Sequence, residues 1–262
     1  MKQIKGILFD KDGTLMDFYS SWVLVATQLA DRLLEKLEIA NCPELKDNLL
    51  ISIGLHDNKV DPRGFLASGT TQDIYGAFVQ VLTKADVSQE RLDGLDDWMT
   101  DELYSLTKAN RDNLKSTADL PNLLDGLRRH GIKMGIATAD DRDSTKFFLD
   151  KIGIQSYFDF IGTSDYYEKK PNPSMIQAFC EIANISAEEV AVAGDTVVDL
   201  QFAKNGSAGL AIGVLSGVSG TAELSGLADL IIDSVGDIVT ENGGLIWRGT
   251  NWRRDYENRF GN

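Results

Sequence analysis

Asp10 and Asp12 stand two residues apart in Asp10-Lys11-Asp12-Gly13-Thr14-Leu15, directly after the apolar run Ile7-Leu8-Phe9. A carboxylate pair on such a loop can divide labour as nucleophile and general acid/base. Gly13 supplies the positive φ or the close backbone approach of a tight turn. Three further stretches carry complementary chemistry. Thr138 and Ala139 follow the apolar run Met134-Gly135-Ile136-Ala137 and offer a hydroxyl and backbone N–H groups suited to phosphate oxygens. Thr138 or Asp140 would serve equally as a helix cap there. In Lys169-Lys170-Pro171-Asn172-Pro173 two prolines stiffen the backbone behind a lysine pair. A fixed ammonium at that place can neutralise a crowded carboxylate and a transferring phosphoryl group. Lys170, which directly precedes Pro171, is the first choice, and Lys169 is the fallback. Finally, Gly194-Asp195-Thr196-Val197-Val198-Asp199 sets Asp195 at a strand end and Asp199 in a first helical turn. Such hard oxygen donors suit Mg²⁺, and the same residues suit an N-cap.

The elements that must position these groups read as alternating strands and helices. Strands are expected over residues 4–9, 133–138, 158–162, 190–193, 210–214 and 230–232, each short and apolar, as in a parallel sheet buried on both faces. Helical stripes lie between them: Leu120, Leu123, Leu124 and Leu127; Met175, Ile176, Phe179 and Ile182; Leu200 and Ala203. The expected fold class is α/β, a doubly wound, mostly parallel sheet with a Rossmann-like core. All four chemical stretches then fall at carboxyl ends of strands, which a parallel sheet gathers at one edge.

Residues 16–115 break the rhythm and contain no convincing strand, so an all-helical cap domain is expected there. Its stripes are Trp22, Val25, Leu29, Leu33 and Leu37; Leu45, Leu49, Leu50 and Ile53; and Ile74, Phe78, Val81 and Leu82 behind a Thr70/Asp73 capping box. Ser88 is expected to cap a fourth helix carrying Leu92, Leu95, Met99, Leu103 and Leu106. The domain organisation is therefore a core of residues 1–15 and 116–242, a cap of 16–115, and a C-terminal tail of 243–262. The tail is rich in Arg and aromatic residues; it can bind nucleic acid or a partner, and the expectation is that it folds back on its own domain or on a second subunit of a homodimer.

The 262 residues carry 40 acidic and 26 basic side chains, a formal charge of −14. That acidity argues against a nucleic-acid partner, because a phosphate backbone selects clustered Lys and Arg. No apolar stretch is long enough to span a membrane as a helix, so no membrane partner is expected. Cys42 and Cys180 form neither a disulfide framework nor metal-ligand spacing, and a cytoplasmic location is the expectation.

The four stretches together resemble the signature of the haloacid dehalogenase superfamily. Asp10-x-Asp12-Gly13-Thr14-Leu15 is similar to its first motif and Thr138 to its second. Lys170 with Pro171 and Pro173 is similar to the third, and Gly194-Asp195 with Asp199 to the fourth. A helical insertion between the first two motifs is similar to the phosphoglycolate phosphatase-like subgroup. The resemblance implies a phosphoric monoester hydrolase in which Asp10 attacks phosphorus and becomes an aspartyl phosphate, while Asp12 acts as acid and then base. It implies Mg²⁺ on Asp10, the Asp12 backbone carbonyl and Asp195, with Asp199 in support, and a phosphate grip by Thr138, Ala139 and Lys170. The substrate would be a small phosphorylated metabolite.

Substrate choice would then lie in the cap, where Lys59 and Arg63 are cations on the loop 57–65 that joins two helices. They can bind an anionic leaving group, or they can be solvated. Two other functions fit the same residues: a phosphomutase of the β-phosphoglucomutase type, and a non-catalytic scaffold that binds a partner.

Overall fold

The computed structural model describes residues 3–39 and 42–248. The chain divides into two compact units, residues 1–17 with 115–262 and residues 18–114. Each is described by itself.

In the first unit the expected strands form β1 (Gly6–Phe9), β4 (Lys133–Ala137), β5 (Phe160–Gly162), β6 (Val190–Gly194), β7 (Leu210–Val214) and β8 (Leu230–Ile232). They make one sheet in the order β5-β4-β1-β6-β7-β8, and every neighbouring pair is parallel. The apolar runs explain this directly, since β1, β6 and β7 are buried at every position. The chain lays β4 and β5 on one side of β1, then returns to lay β6, β7 and β8 on the other. That reversal is a topological switch point, where open α/β sheets bind ligands beyond the strand ends.

Helices cover the sheet through the expected stripes. Leu120, Leu123, Leu124 and Leu127 are buried on the helix Leu120–Arg129, which Asp119 caps through Asn122 N at 3.3 Å. Met175, Ile176 and Phe179 pack from the helix Ser174–Ala183 into a cluster with Leu8, Val190, Val192 and Phe202. Ile182 departs from its expected stripe and is 59% exposed. The helix stops at Asn184, whose φ is 54°, so Ile182 sits in a last turn that leaves the sheet. Where the two units join in sequence, Asp17 N donates to Lys115 O at 2.8 Å and Thr117 N to Leu15 O at 3.0 Å. The outgoing and returning chains are thus tied together on the α/β side.

The second unit is mainly helical: Leu24–Lys36, Pro43–Ser52, Phe65–Ser68, Thr71–Lys84, Gln89–Leu92 and Leu95–Ala109. Val25, Leu29, Leu33, Leu45, Leu49, Phe78, Leu82, Met99 and Leu103 bury the apolar faces. The Thr70/Asp73 box forms as expected, with Asp73 N on Thr70 Oγ1 at 3.2 Å and Thr70 N on Asp73 Oδ2 at 2.9 Å.

Two expectations for this unit are corrected. It is not all-helical, because β2 (Leu55–His56) and β3 (Lys59–Val60) pair antiparallel around Asp57 and Asn58. Those two residues have φ of 48° and 62°, the left-handed pair that closes a two-residue hairpin. The stretch read as an interhelical loop therefore carries a short ladder. Ser88 also does not cap one long helix. A single turn, Gln89–Leu92, ends before Gly94, whose φ of 74° starts Leu95–Ala109 afresh.

Among the described residues no helix is long and apolar enough to cross a membrane. Most of the Arg/aromatic tail, residues 249–262, lies outside the described residues.

Candidate active site

Asp10 follows β1 and keeps the sheet's hydrogen bonding for one more residue, donating its N–H to Ala193 O at 2.9 Å. The chain then leaves the sheet, so Asp12 does not continue the strand alternation. Gly13 makes this turn at φ 84°, and its Cα faces the Asp195 carboxylate so closely that a Cβ would collide with it. Gly217 meets the same carboxylate from the loop after β7, and a Cβ there would collide as well. Both glycines are required by close approach, and both approach Asp195.

Asp195 follows β6 and is 1% exposed. Its Oδ2 accepts from Val218 N at 2.9 Å and its Oδ1 from Thr14 Oγ1 at 3.4 Å. Asp199 lies one turn into the helix Val197–Asn205. Its Oδ2 accepts from Thr196 N at 3.0 Å and from Thr196 Oγ1 at 2.6 Å, which makes it the N3 member of a capping box. Its Oδ1 accepts from Lys170 Nζ at 2.5 Å. The capping and site readings of these residues therefore hold together: one oxygen starts the helix and the other faces the lysine.

Lys170 Nζ also donates to Asp10 Oδ1 at 2.7 Å, and the whole group is buried. Lys170, not Lys169, thus joins the third stretch to the first and fourth. One oxygen from each of Asp10, Asp195 and Asp199 lies within 4.8 Å of the others. Asp12 contributes no carboxylate to that group.

Electrostatics follow from this crowding. Burial pushes the Asp10 carboxyl up to about 7, Asp199 and Asp12 add to it, and Lys170 opposes it. Burial, with Asp10 and Asp199 nearby, also holds Asp195 well above the usual carboxylate range. For Lys170 burial works downward, but Asp10 and Asp199 outweigh it and raise the ammonium above its ordinary value. With all three carboxylates ionised, as metal binding would require, one ammonium leaves two negative charges in a buried site. Oxygen donors with that deficit fit a hard divalent cation such as Mg²⁺.

Thr138 follows β4 and is buried. Its Oγ1 accepts from Asp140 N at 3.1 Å, and its N–H donates to Gly162 O at 3.0 Å. Ala139 is half-buried beside it. The helix cap after β4 is neither Thr138 nor Asp140. Asp141 caps the helix Arg142–Lys151 through Ser144 N at 2.8 Å.

Sequence reading singled out no role for Lys11 and weighed Asp140 only as a helix cap. Lys11 is 2% exposed, and its Nζ lies 2.7 Å from Asp12 and 3.0 Å from Asp140 Oδ2. Burial pushes the Asp140 carboxyl up to about 7, against the pull of Lys11. The available signal was a charged residue two positions beyond a fully buried strand. It was passed over because a lysine between two acids reads as a solvated spacer.

The other two candidates, Lys59 and Arg63, lie in the helical unit and are exposed. Lys59 opens β3, and the Arg63 backbone N–H donates to Asp61 Oδ1 at 2.9 Å in a turn.

A family model of haloacid dehalogenase-like hydrolases matches residues 4–206. The chain belongs to that family. This haloacid dehalogenase-like hydrolase is 26% identical over 205 residues to the phosphoglycolate phosphatase of Vibrio parahaemolyticus, covering 78% of this chain and 81% of that one. It is 26% identical over 157 residues to pyrophosphatase PpaX of Bacillus velezensis, covering 57% and 72%. Among solved structures, a predicted phosphoglycolate phosphatase from Haemophilus somnus superposes with a TM-score of 0.70, covering 92% of this chain and 99% of that one. At 17% identity it speaks to the fold alone. The family match spans all four stretches that carry chemistry.

Proposed function

We propose that this hydrolase is a Mg²⁺-dependent phosphatase that cleaves a small phosphorylated metabolite, in the manner of its phosphoglycolate phosphatase relatives, through an aspartyl phosphate on Asp10. The observation that carries the reading is the buried carboxylate group of Asp10, Asp195 and Asp199 around Lys170 at the switch point of the sheet.

Asp10 would attack phosphorus in line, forming its O–P bond as the ester P–O bond breaks. Asp12 gives its proton to the leaving oxygen. In the second half, Asp12 takes a proton from water, the water oxygen attacks phosphorus, and the bond to Asp10 breaks to release phosphate. Lys170 holds Asp10 in line and faces the phosphoryl oxygens. The Thr138 hydroxyl and the Ala139 N–H complete the grip. Asp10, Asp195 and the Asp12 carbonyl would hold the metal, with Asp199 keeping Lys170 and the loop in place. Mg²⁺, when bound, supplies neutralisation of charge on the phosphoryl oxygens. Positioning and charge neutralisation are what phosphoryl transfer chiefly requires.

The experiment is turnover of para-nitrophenyl phosphate by the wild type with Mg²⁺ and with EDTA. Turnover with Mg²⁺ and its loss in EDTA are expected. Metal-independent turnover, or none, would refute the reading. A panel of phosphorylated metabolites then ranks substrates by kcat/KM.

A further inference from the structure

The Lys11 ammonium sits against both oxygens of Asp12, each at 2.7 Å, and against Asp140 Oδ2 at 3.0 Å. The side chains of Lys11, Asp12 and Asp140 are 2%, 14% and 6% exposed. Phe148 lies beneath the ammonium, with its ring centroid 5.8 Å away. Asp140 is itself fixed: its Oδ1 accepts from Asp141 N at 2.8 Å, and its N–H donates to Thr138 Oγ1 at 3.1 Å. Its carbonyl accepts from Ser164 N at 3.1 Å. One continuous chain of polar contacts therefore runs from Asp12 through Lys11 and Asp140 to Thr138.

A buried ammonium needs buried counter-charges, and breaking such a group is costly. The arrangement is more than a surface pair. It ties the loop after β1 to the loop after β4, and it ends on Asp12, the proposed acid and base, which stands outside the Asp10, Asp195 and Asp199 group.

We infer that Lys11, anchored by Asp140, is a positioning residue that sets the orientation of the Asp12 carboxylate. The inference deepens the proposed function and rests on Asp12 being its acid and base. Asp140 keeps the ammonium paired when Asp12 turns to the reacting oxygen, so the carboxylate can leave Lys11 without stranding a buried charge. In this scheme Lys11 acts through the Asp12 carboxylate and has no part in holding the metal or phosphorus. Its loss should act on proton transfer and leave substrate binding alone.

The test compares two substrates in the Mg²⁺-loaded enzyme. Para-nitrophenyl phosphate has a leaving group that departs with little help, whereas an alkyl phosphate needs a proton. Lys11→Met should lower kcat/KM for the alkyl phosphate, which reports only the steps through transfer to Asp10, by about 10- to 100-fold, part of the effect of general acid–base catalysis. It should lower kcat/KM for para-nitrophenyl phosphate by no more than about threefold; hydrolysis of the aspartyl phosphate, which also uses Asp12, is common to both substrates and enters kcat alone. Lys11→Arg should restore most of the alkyl phosphate activity. Asp140→Asn should give a smaller loss with the same substrate dependence. It serves as the second variant should Lys11→Met fail to fold by thermal unfolding. Equal losses in kcat/KM on both substrates, or no loss, would overturn the inference. Asp12→Asn is run alongside. If it loses kcat/KM equally on both substrates, its role as acid fails and the positioning of an acid fails with it. If it shows the leaving-group dependence and Lys11→Met does not, only the positioning role falls.

Discussion

In the α/β unit the charged side chains that matter are buried and interlocked. Lys170 bridges Asp10 and Asp199, and Lys11 bridges Asp12 and Asp140. In the helical unit the charged side chains stand in water. Lys59, Arg63 and His56 are exposed, and the pairs Lys46–Asp31 and Arg32–Glu102 involve partly or largely exposed side chains. The energetics differ accordingly. A surface pair contributes about 0–1 kcal/mol, while removing one partner of a buried pair costs about 3–5 kcal/mol. Buried charge on that scale is retained where chemistry needs it. Under the proposed function the reaction belongs to the α/β unit, and the helical unit is left to work by shape and by weak, replaceable contacts.

The comparison can be broken by substitution. The largest effect is expected at the nucleophile: Asp10→Asn should lower kcat by about 10⁴-fold or more, as loss of a nucleophile does elsewhere. Steady-state turnover with Mg²⁺ checks it. Next comes Lys170→Met, with a loss of about 10²–10³-fold in kcat, the usual cost of deleting one preorganised electrostatic contact. Its melting temperature should fall as well, because three buried carboxylates lose their ammonium.

A smaller effect is expected from metal. At a hundredfold excess over Kd, Mg²⁺ should stabilise the protein by about 2.7 kcal/mol, or roughly 5–10 °C in Tm. The size should depend on pH. Asp10 is raised from 3.8 to about 7, so the folded protein holds a proton that the unfolded chain has released over that window. Stability from this group is therefore greatest at low pH and falls as pH rises towards 7. Mg²⁺ competes with that proton, so its stabilisation should be larger at pH 8 than at pH 5.5. Thermal unfolding with Mg²⁺ and with EDTA at both pH values reads this out. An equal shift at both would contradict it.

The smallest effect should come from the helical unit. Lys59→Ala and Arg63→Ala should change KM by less than about tenfold and leave kcat for para-nitrophenyl phosphate unaltered, since exposed charges are screened by solvent. A collapse of kcat in either variant would erase the distinction between the units.

Much of the α/β unit was legible because its physics is local. A short apolar run bounded by Gly or Asp can only be a buried strand when it recurs with helical stripes between, and the site residues sit where those runs end. Asp199 was legible twice over, as a first-turn helix cap and as an oxygen donor beside Asp195. Lys11 was not, because its burial depends on Asp140, which lies 129 residues away in sequence and meets it only when β1 and β4 pair. The hairpin β2–β3 escaped because two-residue strands show no alternation, although Asp57-Asn58 was a turn signal. Ser88 misled because Gly94 resets the helix within an unbroken leucine stripe. Each miss required knowledge of a partner or a backbone angle that periodicity does not carry.

The central claim is that Asp10 carries the phosphoryl group, and one measurement addresses it directly. The wild type is acid-quenched during turnover of para-nitrophenyl phosphate with Mg²⁺, digested, and mapped by mass spectrometry for a hydroxylamine-sensitive phosphoryl adduct. The account predicts the adduct on the peptide containing Asp10 and its absence in Asp10→Asn. An adduct on another residue, or an Asp10→Asn variant that still turns over at the wild-type rate, would contradict it.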